Sequence, residues 1–245
     1  MSDGMSLELF EKIQGTAEIL EDFIEIDGRK YTERQFKPIT EPTPGVLDVS
    51  TLTSLVDYVE ANKDDLDLKT LIMHVDRPSS VRLRSNIFGE FKQRAEFIHA
   101  VPYLPSYENF LNRQIDKEEF IPMMQSMFLP NEHQECLLKT LAHVRIGDGA
   151  DLEDDGMTQK VTIHTGAVRV DKAELPNPLT LIPYSTFPDV DQPERLFTFR
   201  MYKDGSCRLI EADGGAWRAI AARTVKEYLD KELNEERKLG VTIIA

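Results

Sequence analysis

Apolar and polar positions along this chain follow two periods, and the change between them marks the elements. The strongest helical stripe is near the C-terminus, where Trp217, Ile220, Ala221, Thr224, Val225, Tyr228 and Leu229 keep i, i+3, i+4 spacing. An earlier stripe of Leu52, Leu55, Val56 and Val59 predicts a helix with Ser50 as its cap. Leu9, Phe10, Ile13, Ala17 and Leu20 predict another over residues 5–22, starting at Ser6. Further helical pieces are expected at 106–112, 116–128 and 131–143. The last two open with Asp116/Glu119 and Asn131/Gln134 at capping-box spacing, and Pro122 should kink the first of them. Leu137, Leu138 and Leu141 mark the buried side of the third piece.

Strand periods fill the intervals. Residues 70–75 (TLIMHV), 81–84 and 160–165 read as strands, the last with Val161 and Ile163 alternating. The clearest stretch is 179–200, LTLIPYSTFPDVDQPERLFTFR. Two apolar segments there flank a hinge of Pro188, Asp189, Asp191, Gln192 and Pro193, and Phe197, Phe199 and Met201 alternate with Thr198 and Arg200. Asp-Gly pairs at 27–28 and 204–205 suit hairpin turns, whose central residues take positive φ. Residues 37–45 carry three prolines and read as a loop, and 241–244 as an edge strand. In EADGGAW (211–217), Asp213 is expected to cap the last helix while Gly214 and Gly215 make the turn. The texture changes after residue 144, at GDGADLEDDG (147–156). The expected fold is α+β, with a helix-rich half at 1–146 and a β-rich half at 147–245 ending in a packed amphipathic helix. These are two domains or one continuous one.

At 245 residues the chain is long enough for a full core. Its net charge of −14 argues against a general affinity for nucleic acid or anionic membrane, and equally admits an acidic surface that imitates a polyanion. Cys136 and Cys207 have no CxxC spacing, so free thiols in a reducing cytosol are expected. The opening MSDGMSLELF has no leader pattern and no apolar run approaches membrane length, which predicts a cytoplasmic protein with no membrane partner. One stretch, 77–94, is basic: Arg77, Arg82, Arg84, Lys92 and Arg94 stand against Glu90. It pairs with acidic surface on the same protein or on a neighbouring copy. Without interleaved stacking aromatics, direct nucleic-acid binding is not expected of it.

Catalytic chemistry is sparse. Asp151, Glu153 and Asp155 ahead of Gly156 resemble the start of a calcium loop, but Thr162 holds the position of the bidentate Glu, so an ordinary solvated turn is expected. Gly147-x-Gly149 begins a dinucleotide fingerprint that Leu152 breaks. The five histidines show no ligand spacing, and no P-loop, HExxH or GxSxG occurs. No cofactor, metal or catalytic residue is expected.

The chain resembles the YfdQ-like family of uncharacterised bacteriophage and prophage proteins. The resemblance lies in EDDGMTQKVTIHTG (153–166), LIPYSTFPDVDQPERLFTFR (181–200) and EADGGAW (211–217), with a weaker match at 49–59. The matching residues are Asp155, Gly156 and Gln159, then Pro183, Tyr184, Thr186, Phe187, Gln192, Pro193, Phe197, Phe199 and Arg200, and finally Asp213, Gly214, Gly215 and Trp217. Ser185 stands where the family pattern has Arg. The resemblance implies a phage gene product in the bacterial cytoplasm and carries over no catalytic residues.

Three functions follow as expectations. The first is a non-enzymatic phage accessory protein that self-assembles as a homo-oligomer or binds a host or phage protein, with Arg77, Arg82, Arg84 and Arg94 as its interaction surface. The second is an acidic DNA-mimic decoy of a host DNA-binding or defence protein. The third is a metal-dependent enzyme acting on nucleic acid, built on the carboxylates of residues 148–155.

Overall fold

The computed structural model describes residues 24–26, 29–31, 42–89, 92–143, 150–154, 158–165, 168–202 and 204–245. It contains both helices and sheets, as an α+β protein does. Two units are distinguished, Met1–Pro42 with Gly89–Gln93, and Thr43–Phe88 with Arg94–Ala245. In the first, β1 (Ile24–Ile26) and β2 (Arg29–Tyr31) pair antiparallel with Ile26 opposite Arg29. The helix expected at 5–22 lies outside the described residues.

In the larger unit five strands run in the order β14 (Thr242–Ile244), β4 (Leu71–Arg77), β5 (Ser80–Ser85), β6 (Glu96–Ala100), β3 (Leu47–Val49). β4, β5 and β6 form an antiparallel meander, and β14 and β3 lie parallel to their neighbours at its two edges. Leu71, Met73 and Val75 of β4 are buried with Val81 and Leu83 of β5, as a period of two requires. They pack with helix α1 (Leu52–Ala61), which buries Leu52, Leu55, Val56 and Val59. The α1 cap is Thr51, one residue beyond Ser50, and its hydroxyl accepts from the Ser54 N–H.

A second, antiparallel sheet runs β13 (Cys207–Glu211), β12 (Arg195–Met201), β11 (Leu179–Pro183), β7 (Phe128–Leu129). Its Phe197, Phe199, Met201 and Leu181 form a core with Phe120 and Met124 of α2 (Lys117–Met127) and Leu137 and Leu141 of α3 (Glu132–His143). Neither expected capping box closes. Asp116 precedes α2 but its side chain caps nothing. Asn131 does accept the Gln134 N–H at 2.8 Å, yet the buried Gln134 amide turns inward to the Met124 carbonyl. Residues 107–109 form a 3-10 turn where a longer helix was expected.

The third sheet places β9 (Thr158–Thr165) between β8 (Ala150–Asp154) and β10 (Val168–Pro176). Asp151 and Glu153, expected in a solvated turn, are in β8, opposite Thr162 and Lys160 of β9. Alternation around Leu152 gives this acidic stretch a strand period, which prevails over its turn composition. Helix α4 (Trp217–Glu232) buries Trp217, Ala221, Val225 and Leu229, a single i+4 row, and leaves Ile220 57% exposed. The short α5 (Asn234–Leu239) then returns the chain to β14.

Strands on either side of residue 146 share sheets: β7 pairs with β11, and β14 with β4. The segment before 146 supplies β3 to β6, four of the five strands of one sheet, so both halves build it. Short apolar runs such as 71–75 carry this β content.

Candidate interaction surface

The hinge between β11 and β12 is closed by one side chain. Gln192 Oε1 accepts the Ser185 and Thr186 N–H groups at 2.8 and 3.0 Å, while its Nε2 donates to the Phe187 carbonyl at 3.0 Å. The loop so tied points Phe187 into the core beneath the five-stranded sheet and sends the Thr186 hydroxyl to the Pro78 carbonyl. Asp189 reaches the start of α1, where its carboxylate accepts the Leu52 and Thr53 N–H groups and the Thr53 hydroxyl. Burial alone raises the pKa of Asp189, but these bonds outweigh it and hold the carboxyl below its ordinary value. The family-like stretch therefore joins two cores.

Beside the hinge lies Arg195, 1% exposed. Its guanidinium donates to Glu211 and the Tyr107 hydroxyl, lies 4.3 Å from the Trp217 ring centre, and comes within 3.9 Å of Asp213. Trp217 Nε1 donates to the same Glu211 carboxylate at 2.8 Å. Burial pushes the Tyr107 phenol up, against the pull of Ser185 and Arg195, so it stays a neutral hydrogen-bonding group. Asp213 is not the helix cap. Its Oδ1 accepts the Gly215 N–H in a local turn, with Gly214 and Gly215 at φ of 62° and 80°, and α4 begins later without a side-chain cap. Position alone gave no signal for Arg195, since one Arg in an apolar strand resembles any outward polar residue.

Residues 101–106 (VPYLPS) leave β6 with no regular structure, and concave surface follows them. A cavity of about 640 Å³ is lined by Tyr103, Leu104 and Pro105 together with Tyr184, Pro188 and Gln192. A second, of about 290 Å³, shares Leu104, Pro105 and Tyr184 and reaches Tyr107, Ser185 and Trp217. A third shares Tyr103 and follows Asp48 and Val49 to His99. Among the described residues, Asp48, Glu108 and Asp191 are the carboxylates lining these cavities, and no Lys or Arg lines them. Next to the third cavity are Val46, Leu47 and Val101, each about half exposed, and Tyr103, 95% exposed.

The basic stretch is arranged otherwise. Arg82 pairs with Glu96 at 2.9 Å and lies 3.5 Å from Asp76, while Arg84 donates to Glu96 at 2.9 Å. Arg94 donates to the Ser85 carbonyl. Of the two pairings open to this patch, Arg82 and Arg84 make the one within the chain, because the sheet sets Glu96 on β6 opposite Arg84. Arg77 sits at the end of β4, across from Ser80.

Among the remaining family-like residues, Gln159 lies in β9 opposite Leu175, Pro183 and Pro193 are buried, and Arg200 faces Arg208 across β12 and β13. Asp155 and Gly156 lie outside the described residues. Among the described residues no three His, Cys, Asp or Glu side chains gather as metal ligands would, and no helix is long and apolar enough to cross a membrane. No family model matches the chain, nor does any curated protein or solved structure.

Proposed function

We propose that this chain is a non-enzymatic interaction protein that self-associates in the cytoplasm of a host bacterium, as the resemblance to phage and prophage accessory proteins implies. The observation that carries the reading is the β3 edge. Beyond β3 no further strand of the sheet is described, and Val46 and Leu47 are exposed there beside Val101 and Tyr103. An edge with free backbone groups and apolar side chains is a template for pairing, and apolar exposure in a strongly charged chain marks contact surface. Asp48 is the one charged residue of β3, and residues 42–47 and 100–107 on either side contain no Lys, Arg, Asp or Glu. Copies carrying −14 each approach there with the least repulsion.

The roles of the polar groups support a binding protein over an enzyme. Arg195 is enclosed, Asp189 caps a helix, and His133 Nδ1 accepts the Thr180 N–H. The Cys207 thiol is pushed up to about 12 by burial, far from a nucleophile's range. Light scattering over a wide concentration range tests the reading. A mass that rises above the 28.0 kDa of one chain as concentration rises is expected. A constant single-chain mass contradicts self-association and moves the DNA-mimic decoy, supported by the net charge, to first place.

A further inference from the structure

We propose that the two cavities beside Leu104 and Pro105 form one docking groove for an extended, proline-containing segment of another protein, flanked by Lys or Arg. This goes beyond self-association and uses the hinge side of residues 101–106, with Tyr103 common to the groove and the β3 edge.

Shape and lining point to such a ligand. The cavities share Leu104, Pro105 and Tyr184 in their walls, so the two lie side by side along residues 104–105. Tyr103 and Tyr184 line the groove together with Pro105 and Pro188, and only an edge of the buried Trp217 reaches it. Grooves walled by aromatic rings take polyproline-type segments, whose prolines fit between the rings and whose stiffness lowers the entropy lost on binding. Such a segment makes no internal hydrogen bonds, so its carbonyls need donors from the groove. The Tyr184 and Tyr103 hydroxyls have no partner in the described structure, whereas the Gln192 amide is committed to the hinge and is not a donor here.

Charge selects the flanks. Glu108 and Asp191 are the charged residues lining the groove, and both are exposed. Cationic ends on the segment complement them, while a second copy of this −14 chain would bring further carboxylates. The occupant is therefore a different protein. Rim charges of this kind govern on-rate and salt dependence, and the rings supply most of the affinity.

Fluorescence anisotropy on the full chain tests this with a small panel of labelled peptides. Each has prolines at three-residue spacing and Lys or Arg at both ends, and is paired with versions carrying Gly and Ser for Pro, or Glu for the basic ends. Saturable binding of basic proline peptides is expected, weaker at high salt and lost in both paired versions. Tyr184→Ala should weaken it about tenfold or more, as truncation of an aromatic anchor does. Tyr184→Phe, which keeps the ring and fold, should give a smaller loss. Asp191→Lys, at an exposed position, should weaken binding of the basic peptide and restore that of the acidic one. No binding by any panel member, equal binding of the Gly/Ser versions, or indifference to Asp191→Lys overturns the proposal. Self-association is read separately by mass, so either idea fails without the other.

Discussion

Asp189 shows how one carboxylate can be worth a helix cap. It satisfies two N–H groups at the start of α1, where four have no helical partner. Asp189→Ala should cost about 0.5–2 kcal/mol in chemical denaturation, the range for a lost cap. Its native pKa lies below the unfolded one, so its contribution is complete above the unfolded pKa and fades as pH falls through the native value. The stability difference between the unmodified chain and Asp189→Asn should thus be constant near neutrality and shrink below about pH 4. A difference that grows on acidification contradicts this assignment. Arg195 is the costlier residue to lose. Removing Glu211 leaves a buried cation with only the more distant Asp213 as counter-charge, and Glu211→Ala should destabilise by about 3–5 kcal/mol. A loss below about 1 kcal/mol would mean that water reaches Arg195.

Elements were legible where periodicity is carried by apolar side chains. Leu52, Leu55, Val56 and Val59 are all buried, and Phe197, Phe199 and Met201 face one core, as their spacing implies. The edge strand at the C-terminus and the hairpin around Gly205, whose φ is 82°, were readable for similar local reasons. Long-range pairing was not. Nothing local says that residues 242–244 return to β4, or that Glu96 faces Arg84, because register belongs to the tertiary fold. The interaction surface was hidden for a second reason: no pattern singles out Leu47 or Val101 until the sheet order leaves β3 at an edge. The basic patch drew attention by its contrast with an acidic chain, yet Arg82 and Arg84 are bound into the sheet face. Replacing both with Glu should lower the melting temperature, since the new carboxylates would crowd Glu96 and Asp76. An unchanged melting temperature would show that these pairs contribute nothing, as many exposed ones do.

At the scale of the whole molecule, the larger unit carries two apolar cores joined by the hinge at 184–194, with no charged residue in the 101–106 segment and Asp48 alone in β3. Self-association is proposed to use the β3 edge, where among the described residues β3 pairs with β6 alone. Three residues of ladder contribute little alone, so Val46, Leu47, Val101 and Tyr103 must supply the buried area. A Lys at Leu47 should act as an edge guard and keep the chain monomeric without unfolding it, because that side chain is already half exposed. The most direct measurement is amide hydrogen exchange of residues 45–49 in dilute and concentrated protein, for the unmodified chain and Leu47→Lys. Slower exchange of this segment at high concentration, absent in Leu47→Lys, is the predicted result. Identical exchange at both concentrations, with the mass holding at 28.0 kDa, would contradict it.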